Sequence, residues 1–324
     1  MNPMFSGWLI ATDYVRADGI TDVSDALQQL IDNNPNRTIF FPDGTYLLHK
    51  PLLTPAHPEK SVDLQLSNFA KIKASENWSS SEAMIRLGAS QPANDIYTPG
   101  SNYGISGGII DGSGIAKGIS IDGGRETYIR NVNLKNVRIG IHIKPGANSG
   151  SSDADIHSVN ITGNGQPDSI GVLLEGYDNT LTNMRIANVF TGVDIRSGGN
   201  MLRNIHPLFT FRNAVSRERY AESVGFRNLG VNYNWFDYCY SDQFSVGFHA
   251  NSGNFHNCFA WWYSTKEDCH VALRCDGTFQ GIVNSMTIGG AHHPDHPNRF
   301  SDNLNPDGNY ALSNIILDGM LLKF

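Results

Sequence analysis

The chain has 324 residues, a formal net charge of −7 and 33 glycines. An acidic balance without a basic stripe argues against nucleic acid as a partner. No stretch is long and apolar enough to cross a membrane, so we expect no membrane partner.

The amino-terminal segment, about residues 1–50, differs in style from the rest of the chain. Residues 1–10 have neither the basic start nor the apolar run of a signal peptide, which leaves the localisation unknown, inside the cell or trimmed of a leader. Asp22 or Thr21 can cap a helix that ends at 33–35 and carries apolar residues at helical spacing, namely Val23, Ala26, Leu27, Leu30 and Ile31. A strand at 38–41 and a turn at 42–44 follow. We expect this helix to cap the open apolar end of the coils described next.

A five-residue phrase beginning at Gly118 recurs along the rest of the chain. Further copies begin at Gly140, Gly171, Gly192, Gly225, Gly247 and, with Ala in place of Gly, Ala272. The starting positions step by 22, 31, 21, 33, 22 and 25 residues, which indicates a repeat with inserted loops. Apolar residues alternate with others inside each phrase, as in a strand with one buried face. The sequence therefore predicts a solenoid of strands.

A second ladder, apolar-x-Asn-apolar, runs in phase with the first. Its asparagines are Asn131, Asn183, Asn204, Asn257, Asn284 and Asn314, with Ser158 and Asp237 in the same slot of two other turns. Asparagine tolerates the left-handed bend that turns one strand into the next, and it can hydrogen-bond along a stack. We predict a mostly buried structural row. Two strand ladders per coil predict an all-β parallel β-helix, regular from about 104 to 324 and forming one domain over residues 1–324.

Several motifs resemble the pectate-lyase superfamily. The segments 15–22 and 40–46, with the helix between them, resemble its opening, and 107–114 resembles a coil of its polygalacturonase-like branch. This superfamily also includes polysaccharide lyases and phage tailspikes. The resemblance implies a single-stranded right-handed parallel β-helix and a carbohydrate substrate. The polygalacturonase catalytic motifs are absent, so no catalytic residue is transferred.

The candidate site comes from the repeat itself. In each phrase the two apolar residues face inward, so the residue between them and the residue after them face outward. Two outward carboxylates on adjacent coils, Asp194 and Glu175, are the predicted catalytic pair, at a separation of roughly 5–9 Å. The predicted substrate-binding residues are Arg196, Arg227, His249, His142, Arg274 and Trp262. By the same alternation the phrase glycines face outward as a bare track, unless they mark bends with positive φ.

Inserted loops adjoin these coils, at 145–153, 162–169 and 197–223. Inserts on one side of a solenoid commonly form its binding walls. The last insert carries Arg212, Arg217, Glu218, Arg219 and Tyr220, which suit contacts with sugar or carboxylate. Residues 261–263, Trp-Trp-Tyr, can supply a stacking surface for sugar rings.

Three functions remain open on this evidence. The leading one is a glycoside hydrolase that uses the carboxylate pair. The second is a polysaccharide lyase, in which His249, Arg227 and Arg274 remove a proton and neutralise a uronate. The third is a non-catalytic glycan binder such as a phage fibre or adhesin.

Cofactors and assembly are less constrained. We expect no cofactor, with Ca²⁺ an option for a lyase and the pair Asp153 and Asp155 as weak candidate ligands. The segment 292–296 has metal-compatible residue types, but its Pro-rich setting favours a surface turn, and we predict no metal site. Cys258 fits a buried slot, and Cys269 and Cys275 can pair. The apolar final strand leaves a homo-oligomer, such as a trimer, open.

Overall fold

The structure is a computed structural model that describes residues 7–57, 60–90, 103–145, 151–210, 215–230, 233–263, 270–291, 295–305 and 308–324. The chain divides into two compact units. Unit 1 comprises residues 1–164 and 175–179, and unit 2 comprises residues 165–174 and 180–324. The assignment of residues 1–324 to one domain stays a prediction.

The helix predicted for unit 1, α1, spans Ser24–Asp32 and follows two short strands. Oδ1 of Asp22 accepts a hydrogen bond from the backbone N–H of Ser24 at 3.0 Å, so Asp22 is the residue that binds the first turn. Leu27, Leu30 and Ile31 are buried. The helix and the strand after it are confirmed, whereas the capping role of the helix stays a prediction.

Unit 1 contains two sets of parallel strands. Its strands are β1 Trp8–Ile10, β2 Asp18–Asp22, β3 Arg37–Phe41, β4 Gly44–Leu48, β5 Leu52–Leu53, β6 Val62–Leu66, β7 Ala70–Ala74, β8 Ala83–Leu87, β9 Gly104–Ser106, β10 Ile109–Asp111, β11 Lys117–Ile121, β12 Tyr128–Arg130, β13 Asn133–Val137, β14 Ile139–Ile143, β15 Asp155–His157 and β16 Asn160–Gly163. Strands β5, β8, β11 and β14 form what we call the glycine sheet of this unit, because the repeated phrase lies in it. The other strands form what we call the bent sheet of this unit, because the asparagine bends lie in it.

Unit 2 repeats this organisation. Its elements are β17 Ile170–Leu174, β18 Thr180–Ala187, β19 Thr191–Ile195, β20 Met201–Leu208, α2 Arg217–Ala221, β21 Val224–Asn228, β22 Trp235–Asp237, β23 Tyr240–Asp242, β24 Val246–Ala250, β25 Ser252–Trp262, β26 Val271–Arg274, β27 Gln280–Gly290, β28 Arg299–Asp302, β29 Asn309–Leu317 and β30 Met320–Leu321. Strands β17, β19, β21, β24, β26 and β28 form its glycine sheet. The final strand turns back and pairs antiparallel with β29. Parallel pairing between successive coils gives the predicted parallel β-helix.

The phrase glycines stack as predicted within each unit, but not as an outward track. A Cβ on Gly171 would lie 2.5 Å from the carbonyl oxygen of Gly192, and one on Gly192 would lie 2.3 Å from that of Gly225. The same added atom on Gly171 would lie 2.4 Å from the side chain of Ile186, which is buried. The outward track is therefore wrong. Close approach of the backbone to the packed interior, rather than positive φ, requires glycine here.

The left-handed bend predicted at the asparagine ladder is confirmed, but the predicted burial of its side chains is wrong. Its members at 131, 183, 204, 257 and 314 have φ between 52° and 57°, the left-handed conformation that was predicted. In one coil the bend falls on Ser285 instead of Asn284. Asn131, Asn183 and Asn204 are exposed, although Nδ2 of Asn204 still donates to Oδ1 of Asn183 at 2.8 Å. The bend turns these side chains outward, so the ladder is bonded at the surface.

Cys239, Cys258 and Cys275 are buried free thiols, so the suggested pairing of Cys275 is not formed. Burial raises the pKa of Cys258 and of Cys275 to about 12, which makes both thiols unreactive. Cys269 lies outside the described residues.

None of the helices described has the length and apolar character needed to cross a membrane.

Candidate functional site

The glycine sheet of unit 2 places the predicted outward residues in one register. Asp194 pairs with Arg227, Arg227 with His249, His249 with Arg274, and Arg274 with Asp302, on the consecutive strands β19, β21, β24, β26 and β28. We call these five residues the outer row. Adjacent strands lie about 4.8 Å apart, so the side chains of the outer row are neighbours.

Asp194 is much less accessible than the sequence predicts. Only 2% of the residue is exposed, although it occupies an outward position. Its Oδ2 lies 2.9 Å from a guanidinium nitrogen of Arg196 and 3.7 Å from one of Arg227. Two cations therefore compensate a carboxylate that is removed from solvent, as buried charges require.

His249 and Arg274 each have an acidic neighbour. Nε2 of His249 lies 2.7 Å from Oδ2 of Asp276, at ion-pair distance but without the geometry of a hydrogen bond. Nε of Arg274 lies 3.7 Å from Oδ2 of Asp302. Along the row, His249 lies between two cationic residues, Arg227 on one adjacent strand and Arg274 on the other. This arrangement suits an anionic ligand and a basic imidazole.

Two further predicted residues, His142 and Glu175, lie in unit 1. Nε2 of His142 and Oε2 of Glu175 are 2.7 Å apart. Burial lowers the pKa of His142, while the Glu175 carboxylate opposes that shift. Glu175 thus contacts a histidine in unit 1, whereas Asp194 contacts arginines in unit 2. Their joint action as a catalytic pair stays a prediction.

A compensated ion network lies on the same glycine sheet of unit 1. Nζ of Lys144 contacts Oδ2 of Asp122 at 2.9 Å and also contacts Glu82. Arg86 donates to the same Asp122 oxygen at 3.0 Å. Burial acts to raise the pKa of Asp122, but hydrogen bonds from Ser120, Arg86 and Lys144 outweigh it and hold that pKa below its ordinary value. The network is satisfied within the unit and is best explained as structural.

Trp262 is not at the surface. Its side chain is 1% exposed, its Nε1–H donates to the carbonyl oxygen of Phe244 at 2.6 Å, and its ring stacks on His270 at 4.7 Å. The strand alternates, so Trp262 faces the core and its neighbours Trp261 and Tyr263 face outward. Tyr263 is 66% exposed. The stacking role assigned to Trp262 is therefore wrong.

The insert at 197–223 contributes fewer candidates than expected. Tyr220, on α2, is buried in the core. Arg219 pairs with Glu222 at 3.0 Å on the surface. Arg212 lies outside the described residues.

The carboxylates predicted as weak calcium ligands are already bound by arginines. Asp153 contacts Arg125 and Asp155 contacts Arg130, at 2.6 Å and 2.7 Å, so guanidinium groups occupy the carboxylates considered for Ca²⁺. Among the described residues, no three His, Cys, Asp or Glu side chains come together as a metal site. Residues 292–294 of the histidine-rich segment lie outside that set.

One polar cluster was missed by the sequence reasoning. His206, Tyr240 and Asp242 lie on the bent sheet of unit 2, where Nε2 of His206 is 3.3 Å from Oδ2 of Asp242. The outward-facing rule was applied only to the glycine phrases. Applied to the strands that follow the asparagine bends, the same alternation would have placed His206 on an outer face.

Comparisons with known proteins agree with the fold. The endo-xylogalacturonan hydrolase of Aspergillus tubingensis aligns with 15% identity and a TM-score of 0.67, over 96% of this chain and 92% of its own. An alginate lyase from Paenibacillus aligns with 14% identity and a TM-score of 0.59, over 90% and 97%. ORF18 of Geobacillus virus E2 aligns with 15% identity and a TM-score of 0.64, over 97% of this chain. The chain spans 62% of the length of that viral protein.

Identities at this level show a shared fold alone. No curated protein matches the chain in sequence. A family model described as rhamnogalacturonase A/epimerase, pectate lyase-like, matches residues 11–215 and so covers more than half of the chain. That range includes the amino-terminal motifs, the first phrase copies and Asp194. The chain belongs to the rhamnogalacturonase A/epimerase, pectate lyase-like family of parallel β-helix proteins.

Proposed function

We propose that the protein is a carbohydrate-active enzyme that cleaves a uronate-containing polysaccharide at the outer row of unit 2. The observation that carries the proposal is the shared register of Arg227, His249 and Arg274 on adjacent strands. Three such side chains span about 10 Å at the usual strand spacing. Guanidinium groups bind carboxylates through paired hydrogen bonds, which suits sugar units that carry a carboxylate.

The chemistry that this row supports best is β-elimination. Arg227 and Arg274 would hold the uronate carboxylate and stabilise the charge that develops when its neighbouring carbon loses a proton. His249 would take that proton from C5, because neutral imidazole is a base near neutral pH. The C5–H electron pair forms the C4=C5 double bond, the C4–O bond breaks, and the leaving oxygen takes up a proton. Asp276 would stabilise the imidazolium that forms.

Hydrolysis by Asp194 and Glu175 is the alternative carried over from the sequence. Against it, Asp194 is buried and bound by two guanidinium groups, which leaves its carboxylate little contact with solvent. Glycoside hydrolysis needs one carboxyl group that donates a proton and another that acts as base or nucleophile. Asp194 is better suited to hold Arg196 and Arg227 in place, the second of which contacts the substrate in the elimination. Family membership and similar structures that are hydrolases or lyases by name support a glycan substrate for either chemistry.

The test is an assay of the purified protein against polygalacturonate, alginate and rhamnogalacturonan, with galactan and a β-glucan as neutral polymers. Elimination yields products that absorb in the ultraviolet, and hydrolysis yields new reducing ends without that absorbance. Arms with calcium and with a chelator distinguish neutralisation by arginine from neutralisation by a cation. We expect ultraviolet-absorbing products from an acidic polymer only.

Matched variants place the activity on the row. Arg227→Ala and Arg274→Ala should each reduce cleavage at least about tenfold, the effect of losing one charge-assisted contact. Arg203→Ala is the control, because Arg203 is a surface arginine of the same unit with 62% side-chain exposure. Reducing ends without absorbance, lost in Asp194→Asn and Glu175→Gln, would favour the hydrolase. Binding of an acidic polymer without cleavage would favour the glycan binder.

A further inference from the structure

The outer face of the bent sheet of unit 2 carries the second polar cluster, built on β20, β23 and β25. Leu208 pairs with Asp242, which places His206 beside Tyr240 two residues earlier on each strand. The ring of His206 stacks on that of Tyr240, with centroids 4.2 Å apart and planes 14° apart. Tyr240 in turn pairs with Phe259, and Asp242 pairs with Trp261. The outer row described above lies on the glycine sheet, so this cluster is a separate feature.

Asp242 is the unusual member. It is an outward-facing carboxylate that is only 2% exposed. Its Oδ1 accepts a hydrogen bond from Nε2 of Gln243 at 3.2 Å, and its Oδ2 lies 3.3 Å from Nε2 of His206. Carboxylates are rarely withdrawn from solvent on an outer face unless neighbouring donors hold them. Gln243 has φ 65°, a conformation that a non-glycine residue keeps only when its surroundings enforce it.

Aromatic surface surrounds these polar groups. The hydroxyl of Tyr240 hydrogen-bonds to Tyr263 and interacts with Asp242. Burial is the main cause that raises the pKa of Tyr240, and these two contacts raise it further, so the hydroxyl stays protonated. Tyr263 is 66% exposed and Phe259 is 40% exposed. Aromatic rings beside oriented hydroxyl, imidazole and carboxylate groups match the apolar faces and hydroxyl edges of a sugar ring.

We propose that His206, Tyr240 and Tyr263 form a second binding site, positioned by Asp242, for an uncharged sugar residue. Tyr263 offers a ring face to the ligand, and His206 and Tyr240 offer hydrogen-bonding groups to its hydroxyls. Asp242 acts through the other residues, because it fixes the His206 ring and the Tyr240 hydroxyl while remaining buried.

Charge selects the ligand class. A carboxylate lies at the centre of this cluster, and a second carboxylate brought by a uronate would be repelled by it. Arg185 pairs with His206 on the adjacent strand and keeps its positive charge while it donates to the carbonyl oxygen of Met184 at 3.1 Å, so the acidic probe tests whether Asp242 or Arg185 sets the charge preference. The outer row of the glycine sheet has the opposite character, with arginines on both sides of His249. The two faces of unit 2 would therefore take sugars of different charge.

The experiment measures binding of neutral oligosaccharides of galactan and β-glucan to the full chain by calorimetry, with tri-galacturonate as the acidic probe. We expect the wild type to bind a neutral probe, and Tyr263→Ala and His206→Ala each to weaken its Kd at least about tenfold. Tyr238→Ala is the control, because Tyr238 is a 53% exposed tyrosine outside the cluster and should leave the Kd unchanged. Asp242→Asn should weaken binding less than His206→Ala, since the amide retains the shape of the side chain.

Binding of the neutral probe is expected to be independent of the proposed cleavage activity. Arg227→Ala removes an outer-row arginine and should leave binding of the neutral probe unchanged, even where it reduces cleavage of an acidic polymer. Absence of binding to any neutral probe, or equal Kd values for Tyr263→Ala, His206→Ala and wild type, would overturn the second site. Competition between tri-galacturonate and the neutral probe would overturn the assignment of the two faces to different sugars.

Discussion

The outward face of the glycine sheet has different chemistry in unit 1 and in unit 2. In unit 1, Arg86 and Lys144 are bound by Asp122 and Glu82, so each cation already has a carboxylate within the network. In unit 2, the outer row places cationic side chains on both sides of His249, and the carboxylate contacts of Arg227 and Arg274 are longer, at 3.7 Å each. The same repeated phrase underlies both faces. Inward residues are fixed by packing, whereas outward residues are free to form either a structural network or a binding surface.

The largest effect that this comparison predicts is on activity. His249→Ala should reduce cleavage of the acidic polymer by about 10²–10⁴-fold, the usual contribution of a general base. His256→Ala is the control, a half-buried histidine on the bent sheet of the same unit. Initial rates and melting temperatures are measured for both. A His249→Ala protein that cleaves at the wild-type rate would remove the outer row from the mechanism and with it the contrast between the units.

The next effect is on stability and belongs to unit 1. Asp122→Asn removes a charge that is 8% exposed and bound by Arg86 and Lys144. The free energy of unfolding should fall by about 2–3 kcal/mol, in the range for hydrogen bonds to charged groups, while cleavage is unaffected. Urea titration measures the first quantity and the polymer assay the second. Asp25→Asn is the matched control, because the Lys50–Asp25 pair is exposed and should contribute little. Loss of activity without loss of stability would mean that the network binds substrate after all.

The sequence predicts the part of the molecule that repeats. Register along the glycine sheets and left-handed φ at the asparagines follow from period and residue type, and both are confirmed. The orientation of the β25 side chains can also be predicted from the sequence, because Cys258 is expected to face inward and strict alternation then buries Trp262. Contacts between residues distant in the sequence cannot be predicted in this way. Lys144 contacts Glu82, which lies 62 positions away in the sequence, and Asp242 is enclosed by residues of neighbouring coils. No local sequence pattern predicts either contact.

A smaller effect concerns pH. Burial lowers the pKa of His142 below the 6.5 of an ordinary histidine, although Glu175 opposes the shift and Lys144 and Lys117 add to it. A histidine with a lowered pKa binds fewer protons folded than unfolded, so its contribution to stability is present above pH 6.5 and is lost as the pH falls below it. His142→Gln cannot titrate. Melting temperatures at pH 7.5 and 5.5 should therefore differ less in that variant than in the wild type, and an unchanged difference would contradict the assignment.

The smallest effect tests what the two units share. Asn131 in unit 1 and Asn204 in unit 2 have φ of 57° and 52° and are exposed. Alanine at either position should cost about 1 kcal/mol, because it disfavours the left-handed conformation, and the two costs should be equal. Glycine adopts that conformation without strain, so Asn131→Gly and Asn204→Gly should cost less than the alanine variants. Urea titration of the four proteins measures this. If glycine costs as much as alanine at position 204, the bond to Asn183 rather than the bend accounts for the asparagine.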